Sequence, residues 1–193
     1  MNIKYKNQKI FAFSDTHGMH RRLSIPKDVD ILICAGDGVM GFTPDELRDF
    51  LEWFASIPAK LRIFVAGNHE LLFELSPHEA AKMIPDGIKF LEDEGIEYED
   101  ISFYSVPARA WLHQDIILPD NIDFLITHGP ALGFLDEGNG CPYLRNAILG
   151  GKPRIHIFGH IHSQGGKSTK SGATTFYNVS YFEQLNTMVN NLI

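Results

Sequence analysis

Five segments of the chain share one pattern, in which a short apolar run ends in glycine, aspartate, asparagine or histidine. Near-continuous apolar runs rich in β-branched and aromatic residues are typical of strands that are covered on both faces. Because ligands of α/β sheets bind beyond the carboxyl ends of the strands, the pattern predicts one shared site. The five segments are KIFAFSDTHG, DILICAGDG, LRIFVAGNHE, NIDFLITHGP and PRIHIFGHIH, which begin at residues 9, 30, 61, 121 and 153.

Helices are predicted between these strands where capping signals occur. TPDE at 43–46 and SPHE at 76–79 each have the form of a capping box with proline at the first helical position. An apolar stripe follows the first box and marks the face that packs on the core. A third helix is predicted at 143–149, ended by two glycines and a proline at 150–153.

The remaining segments favour short strands and turns. Short strands are predicted within 87–106, at 174–180 and at 187–193, and a hairpin loop is predicted at 163–172. No boundary, repeat or low-complexity tract divides the chain, so residues 1–193 are expected to form one domain of α/β (α+β) type.

Composition narrows the classes of function. The net charge is −7, which argues against a general grip on duplex nucleic acid, because that needs a basic face. No apolar run is long enough to span a bilayer, and the polar start of the chain lacks a signal-peptide core. Two cysteines give no disulfide framework, so a reducing cytoplasmic location without a membrane partner is expected. Oligomeric state is left open.

The polar residues that follow the five strands are metal-ligand types. Their mix of carboxylate, imidazole and amide suits manganese, iron or zinc, and there is no thiolate set for a structural zinc site. Eight donors are too many for one ion and about right for two, if one carboxylate bridges them. The donors are Asp15, His17, Asp37, Asn68, His69, His128, His160 and His162.

Spacing groups some of these donors. In an extended segment, residues two apart point the same way, so Asp15 and His17 are expected to reach one ion together. By the same argument His160 and His162 share a side, and they would serve the same ion or two adjacent ions.

A charge count favours an anionic substrate. Two divalent ions roughly 3.5–4 Å apart form the clamp used in phosphoester hydrolysis. Asp15, Asp37 and a bridging hydroxide would cancel three of the four positive charges, while Asn68 would cancel none. One positive charge would remain where a phosphate must bind, in a chain that is acidic overall.

The blocks DTH at 15–17, GDG at 36–38, GNHE at 67–70, THGP at 127–130 and GHIH at 159–162 resemble the calcineurin-like metallophosphoesterases. All five blocks occur in the order of that family, over nearly the whole chain. The chain most resembles the small metallophosphoesterase-domain-containing phosphodiesterases, through VAGNHELLFE, THGPALGFLD, HIFGHIH and YNVS at 177–180.

The resemblance implies a four-layer fold of two packed mixed β-sheets flanked by helices. It also implies hydrolysis of a small phosphodiester, such as a cyclic nucleotide, by attack of a metal-bridging hydroxide. His69 would be catalytic, touching the phosphate or the leaving oxygen beside Asn68. The implied ligands are Asp15, His17, Asp37 and His162 for the first ion, and a bridging Asp37 with Asn68, His128 and His160 for the second.

The chain departs from that branch after Val106, where the segment before THGP is much shorter. Arg109 could bind a phosphate oxygen there, and Trp111 could stack on a base. The alternatives are that Arg109 is a solvated surface charge and that Trp111 packs on the fold.

Two other functions stay open. A phosphomonoesterase could use the same metals, but GDG is not followed by the VDRG of the protein serine/threonine phosphatases, so their phosphate-gripping arginine is missing at that place. A non-catalytic binding module would be expected to have a damaged site, whereas here His69 and every type of metal ligand are present.

Supporting roles are expected for residues beside the ligands. Gly36, Gly67 and Gly159 are predicted to supply backbone freedom at tight turns. Glu70 is predicted to orient His69 or a nearby backbone group.

Overall fold

A computed structural model of the chain describes residues 1–41 and 43–190, and it contains two β-sheets. The first has five strands in chain order, with β1 antiparallel to β2 and the other neighbours parallel. Its strands are β1 (Asn2–Tyr5), β2 (Gln8–Phe13), β3 (Ile31–Cys34), β4 (Leu61–Phe64) and β5 (Ile88–Phe90).

The second sheet has six strands in the order β10-β11-β9-β8-β7-β6. The four central strands run parallel, and each edge strand is antiparallel to its neighbour. Its strands are β6 (Glu94–Tyr98), β7 (Ile101–Ser105), β8 (Phe124–Ile126), β9 (Ile155–Phe158), β10 (Ser168–Ser171) and β11 (Thr174–Asn178).

Helices cover the outer faces of both sheets and confirm the predicted fold class. One buried cluster lies between the sheets and joins residues such as Ile33 and Phe124. A second packs the first sheet against α1 and α2, and a third packs the second sheet against α4. The helices are α1 (Pro44–Ser56), α2 (Leu72–Leu75), α3 (Pro77–Lys82), α4 (Pro142–Gly151) and α5 (Phe182–Asn190), with 3-10 turns at His20–Arg22 and His162–Gln164.

The five apolar segments form β2, β3, β4, β8 and β9, as predicted. The strands predicted within 87–106 and at 174–180 are also confirmed, as β5 to β7 and β11. Helix α1 begins with the predicted capping box, in which the Thr43 side chain accepts from the Glu46 backbone N–H. Its apolar stripe, which includes Phe50 and Phe54, is fully buried.

The strand predicted at 187–193 is wrong for residues 187–190, which belong to α5, while 191–193 lie outside the described residues. Residues 187–193 read TMVNNLI, in which polar and apolar residues do not alternate as they do in a half-buried strand. Helical spacing decides instead, because Leu185 is buried one turn after Tyr181 and its N–H bonds to the Tyr181 carbonyl.

The hairpin loop predicted at 163–172 is also wrong in part. It contains the end of a 3-10 turn and all of β10, and the hairpin turn lies at its end, at Gly172. Strand β10 is an exposed polar edge strand, so it carries no hydrophobic pattern that a sequence reading could detect.

Two predicted helix ends differ in detail. Helix α3 forms, but the Ser76 side chain makes no capping hydrogen bond within the described part of the chain. Helix α4 includes Gly150 and ends at Gly151, and the next residue, Lys152, closes the last turn with a left-handed φ of 48°. No helix among residues 1–41 and 43–190 is both long and apolar enough to cross a membrane.

Candidate metal centre

The predicted ligands converge beyond the carboxyl ends of β2, β3, β4, β8 and β9. Three overlapping groups have ligand atoms within 4.8 Å of one another, and the geometry of each group fits an ion. Asp37 and His17 each belong to two groups. The groups are Asp15 with His17 and His162, His17 with Asp37 and His69, and Asp37 with His128 and His160.

The distances within the groups are those of side chains that face a common point. Nε2 of His162 lies 3.3 Å from Oδ1 of Asp15 and 3.2 Å from Nε2 of His17. Nε2 of His128 lies 3.1 Å from Oδ2 of Asp37, and Nε2 of His17 lies 3.9 Å from the same oxygen. Asp37 therefore lies between the imidazole of His17 on one side of the site and that of His128 on the other. His160 and His162 fall in different groups.

Backbone conformation, not extended spacing, brings these side chains together. Asp15, His17, Asp37 and His160 have φ of 55°, 42°, 54° and 68°, in the left-handed region that non-glycine residues seldom adopt. Asp15 and His17 were predicted to face one ion because their segment would be extended. They do face a common point, but the segment is not extended, so the stated reason is wrong. Tight turns after the strands aim the side chains instead.

Unpaired buried atoms test whether these residues suit a metal. Oδ1 of Asn68 and Nε2 of His128 are buried and have no hydrogen-bond partner within residues 1–41 and 43–190. Buried polar atoms normally have partners. Because an amide oxygen and an imidazole nitrogen are metal-ligand types, the site fits divalent ions.

The electrostatics of the site also fit cations. Burial lowers the pKa of His128, but the negative charges of Asp37 and Asp15 outweigh it and raise this pKa to about 10. Burial raises the pKa of Asp37, but the positive charge of His128 outweighs it and holds that pKa below its usual range. The carboxylates thus attract positive charge strongly inside a buried site.

Hydrogen bonds fix the ligands from their outer sides. Nδ1 of His128 lies 2.8 Å from the carbonyl oxygen of Ala35, which leaves Nε2 directed at the site. Asp15 accepts from the Ser14 hydroxyl at 2.5 Å and from the His160 N–H at 3.1–3.2 Å. Such outer contacts orient metal ligands and set their tautomers.

The glycines that precede the ligands have two different roles. Gly36 has a φ of 91°, so it supplies the predicted backbone freedom. Gly67 and Gly159 do not have positive φ; they permit close approach instead. A Cβ at Gly67 would lie 2.2 Å from Oδ1 of Asp37, and one at Gly159 would lie 2.3 Å from Oδ2 of Asp15.

His69 lies beside the ligands of both halves. Its ring centroid is 4.6 Å from that of His17, and its backbone N–H donates to Oδ1 of Asp37 at 2.9 Å. Its Nδ1 lies 3.0 Å from the carbonyl oxygen of Met40.

Arg109 is not a solvated surface charge, and its guanidinium is occupied by protein groups rather than left open for a phosphate. Its guanidinium pairs with Glu92 and donates to the Phe73 carbonyl at 3.3 Å, with 19% of the side chain exposed. Trp111 is 48% exposed in the same segment. That segment borders the site, because the Gly129 N–H donates to the Ala108 carbonyl next to His128.

Two contributors were underestimated or missed from the sequence. The Glu70 carboxylate is buried and accepts hydrogen bonds from the backbone N–H groups of Asp37, Gly38 and Gly67. It therefore orients nearby backbone, as predicted, but in two loops rather than at one group. Phe182 carries no motif signal. Its ring lies 4.3 Å from that of His162 and 5.2 Å from that of His17, so it forms an apolar wall beside the first group.

Known proteins resemble the chain over most of its length. The family model described as calcineurin-like phosphoesterase matches residues 8–164. Human and mouse metallophosphoesterase domain-containing protein 1 are each 31% identical over 89% of this chain, which spans 65% of their length. The Caenorhabditis elegans UPF0046 protein K07C11.7 is 30% identical over 89% of this chain and 69% of its own.

A solved structure shares the fold. The crystal structure of TT1561 of Thermus thermophilus superposes with a TM-score of 0.68, at 12% identity, over 89% of this chain and 90% of that one. At that identity the likeness supports the fold alone.

Proposed function

The chain belongs to the calcineurin-like phosphoesterase family, and from that premise we propose that it is a phosphodiesterase which acts on a small phosphodiester with two divalent ions. The observation that carries the proposal is the position of Asp37, whose Oδ2 lies 3.9 Å from Nε2 of His17 and 3.1 Å from Nε2 of His128. A bridging carboxylate is what a two-ion site requires.

Each ion would have its own set of residues. When bound, manganese, iron or zinc ions would supply Lewis acidity and an activated water. The residues would hold them from opposite sides of Asp37. The first ion would be held by Asp15, His17, Asp37 and His162, and the second by Asp37, Asn68, His128 and His160.

His69 would donate a proton or hydrogen bond to the departing oxygen. The Met40 carbonyl, 3.0 Å from Nδ1, fixes the ring so that proton transfer would use Nε2. Together with Asn68, His69 would contact the phosphoryl group.

A diester suits the site better than a monoester. A terminal phosphate carries more negative charge and is commonly gripped by arginine. No arginine stands directly after GDG to bind such a phosphate, because residues 39–41 are Val-Met-Gly. Arg109, the other candidate for this task, already pairs with Glu92 and the Phe73 carbonyl.

A substrate panel tests this choice. Manganese-loaded protein is assayed with p-nitrophenyl phosphate, bis-p-nitrophenyl phosphate, and 2′,3′- and 3′,5′-cyclic nucleotides. We expect the diesters to be hydrolysed with higher kcat/KM than the monoester. Preference for the monoester would establish the alternative, a phosphomonoesterase, and no hydrolysis of any compound would favour a binding module.

Asp37→Ala tests the bridge. Removing it takes a ligand from each ion and leaves two cations to repel, so metal and activity should be lost together while the sheets keep their own cores. Metal content and turnover are measured on the same sample. Asp28→Ala is the matched control, because Asp28 is an exposed carboxylate paired with Lys9. An Asp37→Ala protein with both ions and wild-type turnover would remove Asp37 from the bridging role.

A further inference from the structure

Glu70 is a buried carboxylate that the proposed chemistry does not use. Only 2% of the residue is exposed, and it lies between the loop after β3 and the loop after β4. Burial and the nearby charge of Asp37 raise the pKa of its carboxyl to about 7, while hydrogen bonds from the backbone N–H groups of Gly67 and Asp37 oppose that shift and stabilise the ionised form. A buried acid so close to a metal site requires a physical reason.

Four backbone N–H groups point at its two oxygens. Oε2 accepts from Asp37 at 2.8 Å and from Gly67 at 2.6 Å. Oε1 accepts from Gly38 at 2.8 Å and from Val39 at 3.3 Å. Each oxygen therefore acts as an acceptor twice, which only an ionised carboxylate can do at both ends.

These bonds explain why Glu70 is not itself a ligand. A carboxylate offers about four lone-pair positions, and all four of these are directed at N–H groups. Asp37, by contrast, accepts one backbone N–H, from His69, on Oδ1, which leaves Oδ2 facing the imidazole of His128. The two acids are neighbours with different tasks.

The bonds connect three motif loops. Glu70 holds residues 37–39 and Gly67, and residues 37–38 in turn accept the backbone N–H groups of His17 and Gly18 at 3.1 and 3.0 Å. The loops that present Asp15 and His17, Asp37, and Asn68 and His69 are thus fixed through one side chain. This fixation also maintains Asp37 at its positive φ of 54°.

We infer that Glu70 is a positioning residue that assembles the metal site before any ion binds, by clamping the Asp37 loop to the Asn68 loop through two double-acceptor oxygens. The inference rests on the proposed two-ion function. It assigns Glu70 no contact with metal or substrate.

Glu70→Gln provides the direct test. The glutamine side chain has nearly the same shape as glutamate. Its NH₂ group, however, would face two backbone N–H groups, so two hydrogen bonds would be lost because donors would face donors. Loss of an outer contact of this kind typically weakens metal binding about 10–100-fold. Affinity for Mn²⁺ is measured by titration of metal-free protein, with thermal unfolding of the same metal-free samples.

Glu74→Gln is the matched control, since it removes an exposed glutamate charge four residues away and should leave Mn²⁺ affinity unchanged. We expect Glu70→Gln to bind Mn²⁺ about 10–100-fold more weakly. A folded Glu70→Gln protein that binds Mn²⁺ like the wild type would overturn the inference, even if its melting temperature fell, because the role would then be structural only.

Hydrogen exchange on the wild type keeps the inference testable if Glu70→Gln does not fold. In metal-free protein the amides of Asp37, Gly38 and Gly67 should already be protected. Exchange of these amides at the rate of exposed loops would show that the clamp does not form before metal. This measurement needs neither metal nor substrate, so failure of the clamp is distinguishable from failure of the proposed function, which would appear as a wild type that binds no Mn²⁺.

Discussion

At the scale of residues, several of the predicted metal ligands occupy backbone conformations that ordinary residues avoid. Left-handed φ at a non-glycine residue typically costs about 1–3 kcal/mol. Asp15, His17, Asp37 and His160 all have it. Aspartate and histidine tolerate this region better than bulky residues do, so the residues that suit the metal also suit the turns. The surrounding hydrogen bonds hold these conformations in place.

His69→Asn should separate a catalytic role from a ligand role. General acid catalysis is worth about 10²–10⁴-fold, and a poor leaving group such as a ribose oxygen depends on it most. The variant should keep both ions and lose far more turnover on a cyclic nucleotide than on bis-p-nitrophenyl phosphate. Equal losses on both substrates would assign His69 to charge stabilisation. Loss of metal would make it a ligand, which its position near His17 and Asp37 allows.

His156 should make the stability of the metal-free protein depend on pH. The Thr127 hydroxyl donates to the Gly129 carbonyl, so Nε2–H of His156 donates to Thr127, while its Nδ1 is buried without a partner among the described residues. Burial lowers its pKa from 6.5 to about 3. Between these values only the unfolded chain binds the proton, so stability that is present above pH 6.5 is lost as pH falls.

Urea unfolding in chelator at pH 7.5 and 5.5 measures this effect. The wild type should lose about 1.4 kcal/mol more per pH unit below 6.5 than His156→Gln does. His78→Gln, at an exposed position, should behave like the wild type. Identical pH dependence in wild type and His156→Gln would mean that His156 does not titrate as its burial requires.

At the scale of elements, two capping signals of the same form lead to different helix starts. TPDE and SPHE both have the form of a capping box, but only Thr43 uses its side chain, accepting the Glu46 N–H at 3.3 Å. Thr43→Ala should therefore lower the free energy of unfolding by about 1 kcal/mol. Ser76→Ala is the control and should change it little. Equal losses in chemical denaturation would show that the two caps are equivalent.

Whether a strand or helix could be predicted from the sequence depends on how many apolar residues it buries. Strands β3 and β9 are buried along their whole length, so their apolar runs identify them. Strand β10 and helix α5 could not be identified, because Ser168–Ser171 is an exposed edge and, among residues 182–188 of α5, Leu185 alone is buried. Their positions depend on tertiary packing and leave little trace in the local sequence.

Which side chains converge beyond the strands was predictable from the sequence, but how they are arranged was not. The blocks named Asp37 and His128, since metal-ligand chemistry restricts residue types. They could not indicate the left-handed turns, or Phe182 beside His17, because those depend on contacts between distant segments.

At the scale of the whole molecule, the site joins the two sheets. The first sheet supplies Asp15, His17, Asp37 and Asn68, and the second supplies His128 and His160. A bridge between Ser14 and Ser180 connects the sheets beside these ligands, with the Ser14 N–H donating to the Val179 carbonyl at 3.0 Å. Four packed layers thus bring together side chains from strands that are far apart in sequence.

The central claim is that this junction holds two ions around Asp37, and counting the ions tests it most directly. Protein purified without chelator, reconstituted with manganese and freed of excess metal, is measured by elemental analysis against protein concentration. About two manganese ions per chain are expected, as in a two-metal clamp. One ion or none, in a chain that circular dichroism shows to be folded, would contradict it.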